Sequence, residues 1–374
     1  MAIQKISGVT IDLDSQAAGD VAYFDGEVST WVRLAKGTTG QVLTMNENAT
    51  APQWGIAPPT WSPLGTIRGY SAGGNNGSWY TETRYTQIDN YSFVNDGNAT
   101  DWGDLVRDNY HTAGTASATH GYAMGGEYHV GHWQTGYAAY TDTIQKYSFA
   151  ANADATDVGN LTVIHDHGTG HSDGENGYNC YVFGKAADPT SPAISPAVNA
   201  VDKFPFATDT NATDVGDMNV NQNQGGGLSS ITHGYYSTDT GVPNGALAGN
   251  INQFSFASPA TATDVGDMVV NVVAPGGSMS ETHGYFSGGA GNTNQIQKFS
   301  FASLGNSTDV GDMLHGGHAP ACSSSTTHNY NAGGWQGEQN PSNVIDKWAT
   351  ASDADATGVG TLWAVNYGAS GSQV

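Results

Sequence analysis

The sequence predicts an all-β protein: a six-bladed β-propeller over residues 63–374, preceded by a small β module with its linker over residues 1–62. Three observations carry this expectation. A motif of the form Ala-Thr-Asp-Val-Gly-Asp-Met recurs at Ala99–Leu105, Ala155–Leu161, Ala212–Met218, Ala262–Met268, Ser307–Met313 and Ala356–Leu362, its threonine returning every 45 to 57 residues. A strand of the form Ile-x-Lys-Phe-Ser-Phe precedes each copy, and a Thr-His-Gly-Tyr turn and strand follows most of them. Aromatic and β-branched residues alternate with polar ones between clusters of Gly, Asn, Asp and Ser, without helical periodicity. A period near 50 residues with three or four short strands is that of a propeller blade.

In chain order, residues 1–60 lie outside the repeat. Gly19–Gly26, Ser29–Leu34, Gly37–Met45 and Thr50–Trp54 read as short strands, and Ile56–Thr60 as a stiff proline linker. So few apolar side chains cannot bury much alone, so this module is expected to need copies of itself or a larger assembly. The repeats open in mid-unit at Leu64–Tyr70, and the tail Thr361–Ser372 matches the segment that elsewhere joins the two motifs. The last strand should therefore complete the blade that the first strands begin, closing the ring and removing an exposed edge. Insertions around Glu127–Thr141 and Lys185–Asn199 are expected as surface loops.

Eleven Lys and Arg against 34 Asp and Glu give a net charge of −23, which argues against a nucleic-acid partner. With 12% charged residues the chain cannot coat long helices or a coiled coil, and its 18 Tyr, 11 Phe and 9 Trp argue against disorder. The start has no apolar signal region, and no run of about 18 apolar residues predicts membrane insertion. Cys180 and Cys322 are too few for a disulfide framework and are expected as buried free thiols of a reducing cytosol. The sequons at Asn48 and Asn98 read as turns.

The repeated carboxylates, such as Asp101 and Asp104, could suggest calcium, but Asp also caps tight turns and Gly supplies positive φ, and the turn reading is preferred. The repeated His120, His233, His283 and His328 are expected to hydrogen-bond between neighbouring blades. The irregular histidines differ. His111 and His167 stand six residues beyond the Leu or Met that ends the repeated motif, and His318 stands five beyond it. Those segments should form the innermost strand or its exit loop and face the channel. His165 and His167 form a His-x-His pair that a strand would place on one face, and imidazoles suit zinc, copper or nickel. His111, His165, His167 and His318 are therefore the candidate metal ligands, although no cofactor is expected. Trp79, Tyr80, Tyr128, Trp133, Tyr137, Tyr140 and Trp335 lie in Gly-rich segments after the His-Gly-Tyr strands. They are candidate ligand-binding rings for sugars or a protein contact, against the alternative of capping the gaps between blades. No His-Glu-x-x-His, phosphate-loop or Cys-x-x-Cys pattern occurs, and the chain is not expected to be an enzyme.

The N-terminal run Gly-Asp-x-x-Tyr-Phe-Asp-Gly, Trp-Val-Arg-Leu, Gly-Thr-Thr-Gly-Gln-Val-Leu-Thr-Met-Asn and Thr-Ala-Pro-x-Trp resembles a segment of bacteriophage tail fibres and other virion structural proteins. The repeats resemble the kelch-like repeats of virion proteins in marine phages, notably cyanophages. Together the resemblances cover nearly the whole chain. They imply a virion location, residues 1–60 binding other virion proteins, and a homo-oligomer, with a trimer as the best match. The propeller would then attach to a host surface glycan or outer-membrane protein. The chain lacks a long shaft, which favours a compact appendage. The alternatives are a capsid or tail decoration protein that binds only other virion proteins, a glycan depolymerase at the propeller mouth, and a cellular kelch scaffold, which leaves the N-terminal module without a role.

Overall fold

The computed structural model describes residues 17–25, 30–39, 41–46, 50–56, 61–77, 83–130, 137–183, 197–219, 225–238, 249–290, 293–336 and 341–374. The chain divides into two compact units, Met1–Thr60 and Trp61–Val374. In the first, β1 (Val21–Asp25) pairs with β2 (Thr30–Leu34), and β3 (Gln41–Met45) with β4 (Pro52–Ile56), both antiparallel. Asp20 fastens this unit: its carboxylate accepts from the Arg33 side chain at 2.7 Å and the Lys36 amide at 2.8 Å, which holds it below the usual carboxylate range. Phe24, Trp31, Leu43 and Met45 are exposed on it.

The second unit is all-β and forms a propeller of six antiparallel blades, five of four strands and one, blade II, of five. Blade I starts with β5 (Arg68–Ala72), β6 (Gln87–Ser92) and β7 (Thr100–Asp104). Blade II is β8 (Ala113–Ala116), β9 (His120–Met124), β10 (Glu127–Val130), β11 (Tyr137–Ser148) and β12 (Thr156–His165), with β10 paired to an extension of β11. Blade III is β13 (Thr169–Ser172), β14 (Asn176–Phe183), β15 (Ala197–Pro205) and β16 (Thr213–Gly216). Blade IV is β17 (Gly227–Ser229), β18 (His233–Ser237), β19 (Asn250–Ser255) and β20 (Thr263–Asp267). Blade V is β21 (Gly276–Met279), β22 (His283–Ser287), β23 (Gln295–Ser300) and β24 (Thr308–Asp312). Blade VI is β25 (Ala321–Ser324), β26 (His328–Ala332), β27 (Val344–Ala349) and β28 (Thr357–Thr361). Finally β29 (Ser370–Gln373) pairs with β5 as the innermost strand of blade I, as the sequence predicts. The insertion at Glu127–Thr141 is not simply a loop, since its described ends pair as β10 and β11. Lys185–Asn199 lies mostly outside the described residues, and its last residues begin β15.

Each blade is too thin for a core of its own, so the apolar side chains meet between blades. The motifs are the parts of this contact. The second aromatic of Phe-Ser-Phe stacks on the preceding blade's His-Gly-Tyr tyrosine: Phe149 on Tyr70 at 4.7 Å, Phe206 on Tyr122 at 4.8 Å, Phe256 on Tyr178 at 4.9 Å, Phe301 on Tyr235 at 4.9 Å and Phe93 on Tyr330 at 4.7 Å. Each such pair adds about 0.5–1.5 kcal/mol beyond its buried area. The first aromatic lies over the glycine of the facing strand, where a Cβ on Gly121 would stand 2.3 Å from Tyr147. The Asp-Val-Gly-Asp run is the outer clasp. Asp101, Asp157, Asp214, Asp264 and Asp309 each accept from the amide two residues on, the turn role expected of them. The residue before the threonine of each copy donates its amide to the preceding blade: Ala155 to Asp104, Ala212 to Asn160, Ala262 to Asp217, Ser307 to Asp267, Ala356 to Asp312 and Ala99 to Thr361, at 2.7–2.8 Å.

The repeated histidines correct one expectation. They do not bond across blades. Nδ1 of His120, His233, His283 and His328 stands 2.8 Å from the hydroxyl of the preceding threonine, and burial lowers each imidazole's pKa. The polar links between blades beside three of them are the ion pairs Lys146–Asp209, Lys298–Asp353 and Lys347–Asp96. Both cysteines are free; Cys180 is buried between blades, whereas Cys322 is only half-buried and lines the channel.

Before entering blade I, the segment from Trp61 to Gly65 runs across the end of the channel where β5 begins, here the lower face. Trp61 covers Gly174 of blade III, Leu64 packs with Leu228 and Met279 of blades IV and V, and Gly65 donates to the Ser324 carbonyl of blade VI at 2.8 Å.

Candidate functional site at the channel mouth

The six innermost strands stand close because one equivalent position is glycine in five of them: Gly114, Gly170, Gly227, Gly277 and Gly371. A Cβ on Gly170 would come within 2.0 Å of the Gly114 carbonyl. Blade VI has Cys322 there; its thiol reaches the Asn331 side-chain oxygen at 3.0 Å, and burial pushes its pKa up to about 12, so it is no nucleophile at neutral pH.

The upper face carries the connections from each outer strand to the next blade's inner strand, together with the loops between second and third strands. His111 and His167 therefore sit in lead-in segments before the inner strands, not in the strands or beyond them. A partial ring of backbone bonds lines this mouth among the described residues: the amide of His167 donates to His111, His111 to Gly368, Gly368 to Ala319 and Ala319 to Ala274, at 2.8–3.0 Å. These five residues share a positive φ of 51–70°. The ring also fixes the register. Ala319, not His318, is the equivalent of His111, and His318 is the equivalent of Tyr110, Asp166, Val273 and Tyr367, which explains its five-residue spacing.

Among the described residues, the mouth is chemically one-sided. From blade III round through blades II and I to blade VI the rings form a continuous chain. Centroids are 3.6 Å apart for His167 and His111, 3.5 Å for His111 and Tyr110, 5.1 Å for Tyr110 and Tyr367, and 4.9 Å for Tyr367 and Trp335. His318 joins at 5.9 Å from Tyr367, and burial, with His167 nearby, lowers its pKa to about 4, so it is neutral. The Tyr110 hydroxyl donates to that of Tyr367 at 2.8 Å. The lead-in to blade V supplies only Val273 and Ala274. Behind the rings the channel opens as a cavity of about 130 Å³, lined by His111, His167, Pro275, Pro320, Cys322 and backbone. On the outer part of the same face, Val269, Leu314, Trp363 and Val106 of four consecutive blades are exposed, at 54, 55, 67 and 49%.

Of the candidate residues, His111, His167, His318 and Trp335 are thus brought together. His165 is not. Strand β12 ends at His165 and the chain turns, so the expected shared face with His167 does not form. His165 is instead buried, stacked on Tyr181 at 4.0 Å and bonded to Asn179 at 2.8 Å, with its pKa lowered by burial to about 4. Tyr128 lies under the Arg107 guanidinium at 4.8 Å and Tyr140 is half-buried in the blade II extension, both off the chain of rings. Trp79, Tyr80 and Trp133 and the Tyr137 side chain lie outside the described residues. Tyr110, Tyr367 and Asp166 were missed; each immediately precedes a residue of the mouth ring, which is the signal that alignment of the six units offers. The only group of three or more metal-ligating side chains found among the described residues is His111, Asp166 and His167. No protein-family model matches the chain, and no curated protein matches it either.

Proposed function

We propose that this chain is a phage virion structural protein, a tail fibre or compact appendage, whose propeller attaches to the host surface by its upper face. The observation that carries the attachment role is the chain of Tyr110, Tyr367, Trp335 and imidazole rings at the mouth. It lies on the face opposite the one where Trp61–Gly65 enters the propeller. Rings of this kind give large contact area at small entropic cost and stack on sugars or anchor proteins. The exposed arc of Val106, Val269, Leu314 and Trp363 extends the same face. The virion location rests on the resemblance of Gly19–Trp54 and of the repeats. The exposed Phe24, Trp31, Leu43 and Met45 of the first unit fit a module that is covered on assembly. The role is binding rather than catalysis.

Immunogold or cryo-EM localisation on intact particles tests the reading. The expected result is density at a tail or appendage tip with the upper face outward. The isolated propeller should then compete with particles for host cells, and Trp335→Ala should weaken that competition about tenfold or more. Density laid over the capsid with the upper face against other virion proteins would replace attachment by decoration, and absence from particles would remove the virion role.

A further inference from the structure

We propose that His111, Asp166 and His167 bind a divalent transition-metal ion of the zinc class at the upper mouth, joining two consecutive blade connections. One ligating atom from each lies within 4.8 Å of the others. Asp166 Oδ2 stands 3.0 Å from His167 Nδ1, and the two imidazole centroids are 3.6 Å apart. Two ligands at about 2.0–2.2 Å from a tetrahedral zinc stand roughly 3.4 Å apart, close to the Asp166–His167 separation, and the two imidazoles swing apart from their stacked positions to aim at the ion. The backbone holds it in place, since the His167 amide donates to the His111 carbonyl at 3.0 Å.

Two further observations point to a ligand. Both ring nitrogens of His167 are buried without a hydrogen-bond partner, a state that native structures rarely leave unexplained, and Nδ1 is the one beside Asp166. Both histidines also sit at φ 54° and 57°, where the equivalent positions carry Ala274, Ala319 and Gly368. A bulky side chain held in the left-handed region is strained, and such strain marks functional sites. The donor set selects the ion: two imidazoles and one carboxylate suit zinc, nickel or copper, whereas calcium and magnesium take oxygen ligands. Three protein ligands leave a coordination position open, and the cavity lined by His111 and His167 lies beside it. The site stands independently of host attachment, and would hold equally in a decoration protein.

The test uses the full chain stripped with a chelator, with Zn²⁺ followed by calorimetry and Co²⁺ by its visible d–d absorption. Expected is one equivalent bound, with His111→Gln and His167→Gln each weakening binding by roughly tenfold or more. Asp166→Asn should also weaken it, and His328→Gln, on the lower face, should leave it unchanged. Near-UV circular dichroism of the metal-free variants checks that they fold. Should the His167 variant fail that check, His111→Gln and the Co²⁺ spectrum of the unaltered chain decide. Absence of saturable binding, a Co²⁺ spectrum of the hexaaqua ion, or equal loss in His328→Gln overturns the site.

Discussion

Asp89, Asp202 and Asp346 occupy one position in three blades, filled by Gln145, Asn252 and Gln297 in the others, and all six are buried. Each accepts a hydrogen bond from the connection leaving the preceding blade, as Asp89 does from the Trp363 amide at 3.2 Å and Gln145 from that of Val106 at 2.8 Å. An amide performs this task without charge, whereas burial raises Asp89 from 3.8 to about 6. The folded state therefore binds this proton more tightly than the unfolded chain. Its contribution is fully present below pH 3.8 and is lost as pH rises through about 6. Asp89→Asn should stabilise the protein at pH 8 by up to about 2–3 kcal/mol, with the gain in melting temperature vanishing near pH 4. An unchanged difference between the two pH values would place the effect in packing. The sequence shows this residue only as the x of Ile-x-Lys-Phe-Ser-Phe. Its restriction to Asp, Asn and Gln is legible there, but its partner is not, because that partner lies on another blade.

At the scale of the element, the motif most visible in the sequence proves to be joinery. The number of blades, their strands and the closing pair all follow from repeat spacing, because each motif residue has one job in a blade contact that recurs. The mouth resists the same reading. Its chemistry lies in residues that differ from blade to blade, and a one-residue change of register separates His318 from His111. The clasp predicts its own sensitivity. Gly311 has φ +152°, and a Cβ there would lie 2.5 Å from the Ala354 carbonyl oxygen of the next blade. Gly311→Ala should lower stability by about 2–4 kcal/mol in urea denaturation. Gly97, where an added Cβ meets nothing, is the control, and Gly97→Ala should stay within about 0.5 kcal/mol of the parent or slightly above it.

At the scale of the whole molecule, closure depends on a few residues. The Val374 carbonyl accepts from the amides of Thr66, Ile67 and Arg68, the Ser372 hydroxyl meets that of Tyr147 at 2.7 Å, and Gln373 donates to Pro63 at 2.6 Å. Deleting residues 370–374 should leave blade I with three strands and expose the edge of β5, as well as the flanks of blades II and VI. The expected outcome is loss of the near-UV circular dichroism signal and aggregation on size-exclusion chromatography. A monomeric, native-like profile would mean that the remaining interblade contacts hold the ring without the shared sheet.

The pairing of β29 with β5 also sets a timetable. The two partners are separated by about 300 residues of chain, and all the other blades lie between them. On a ribosome that delivers the chain from its N-terminus, blades II to VI can assemble against one another as they emerge. Blade I must wait, its first hairpins ready and its inner position empty, until residue 373 has cleared the exit tunnel. A translation product that stops short of that point cannot close its ring and keeps an open strand edge for chaperones or proteases to find. Synthesis of β29 thus acts as the step that separates closed rings from open ones.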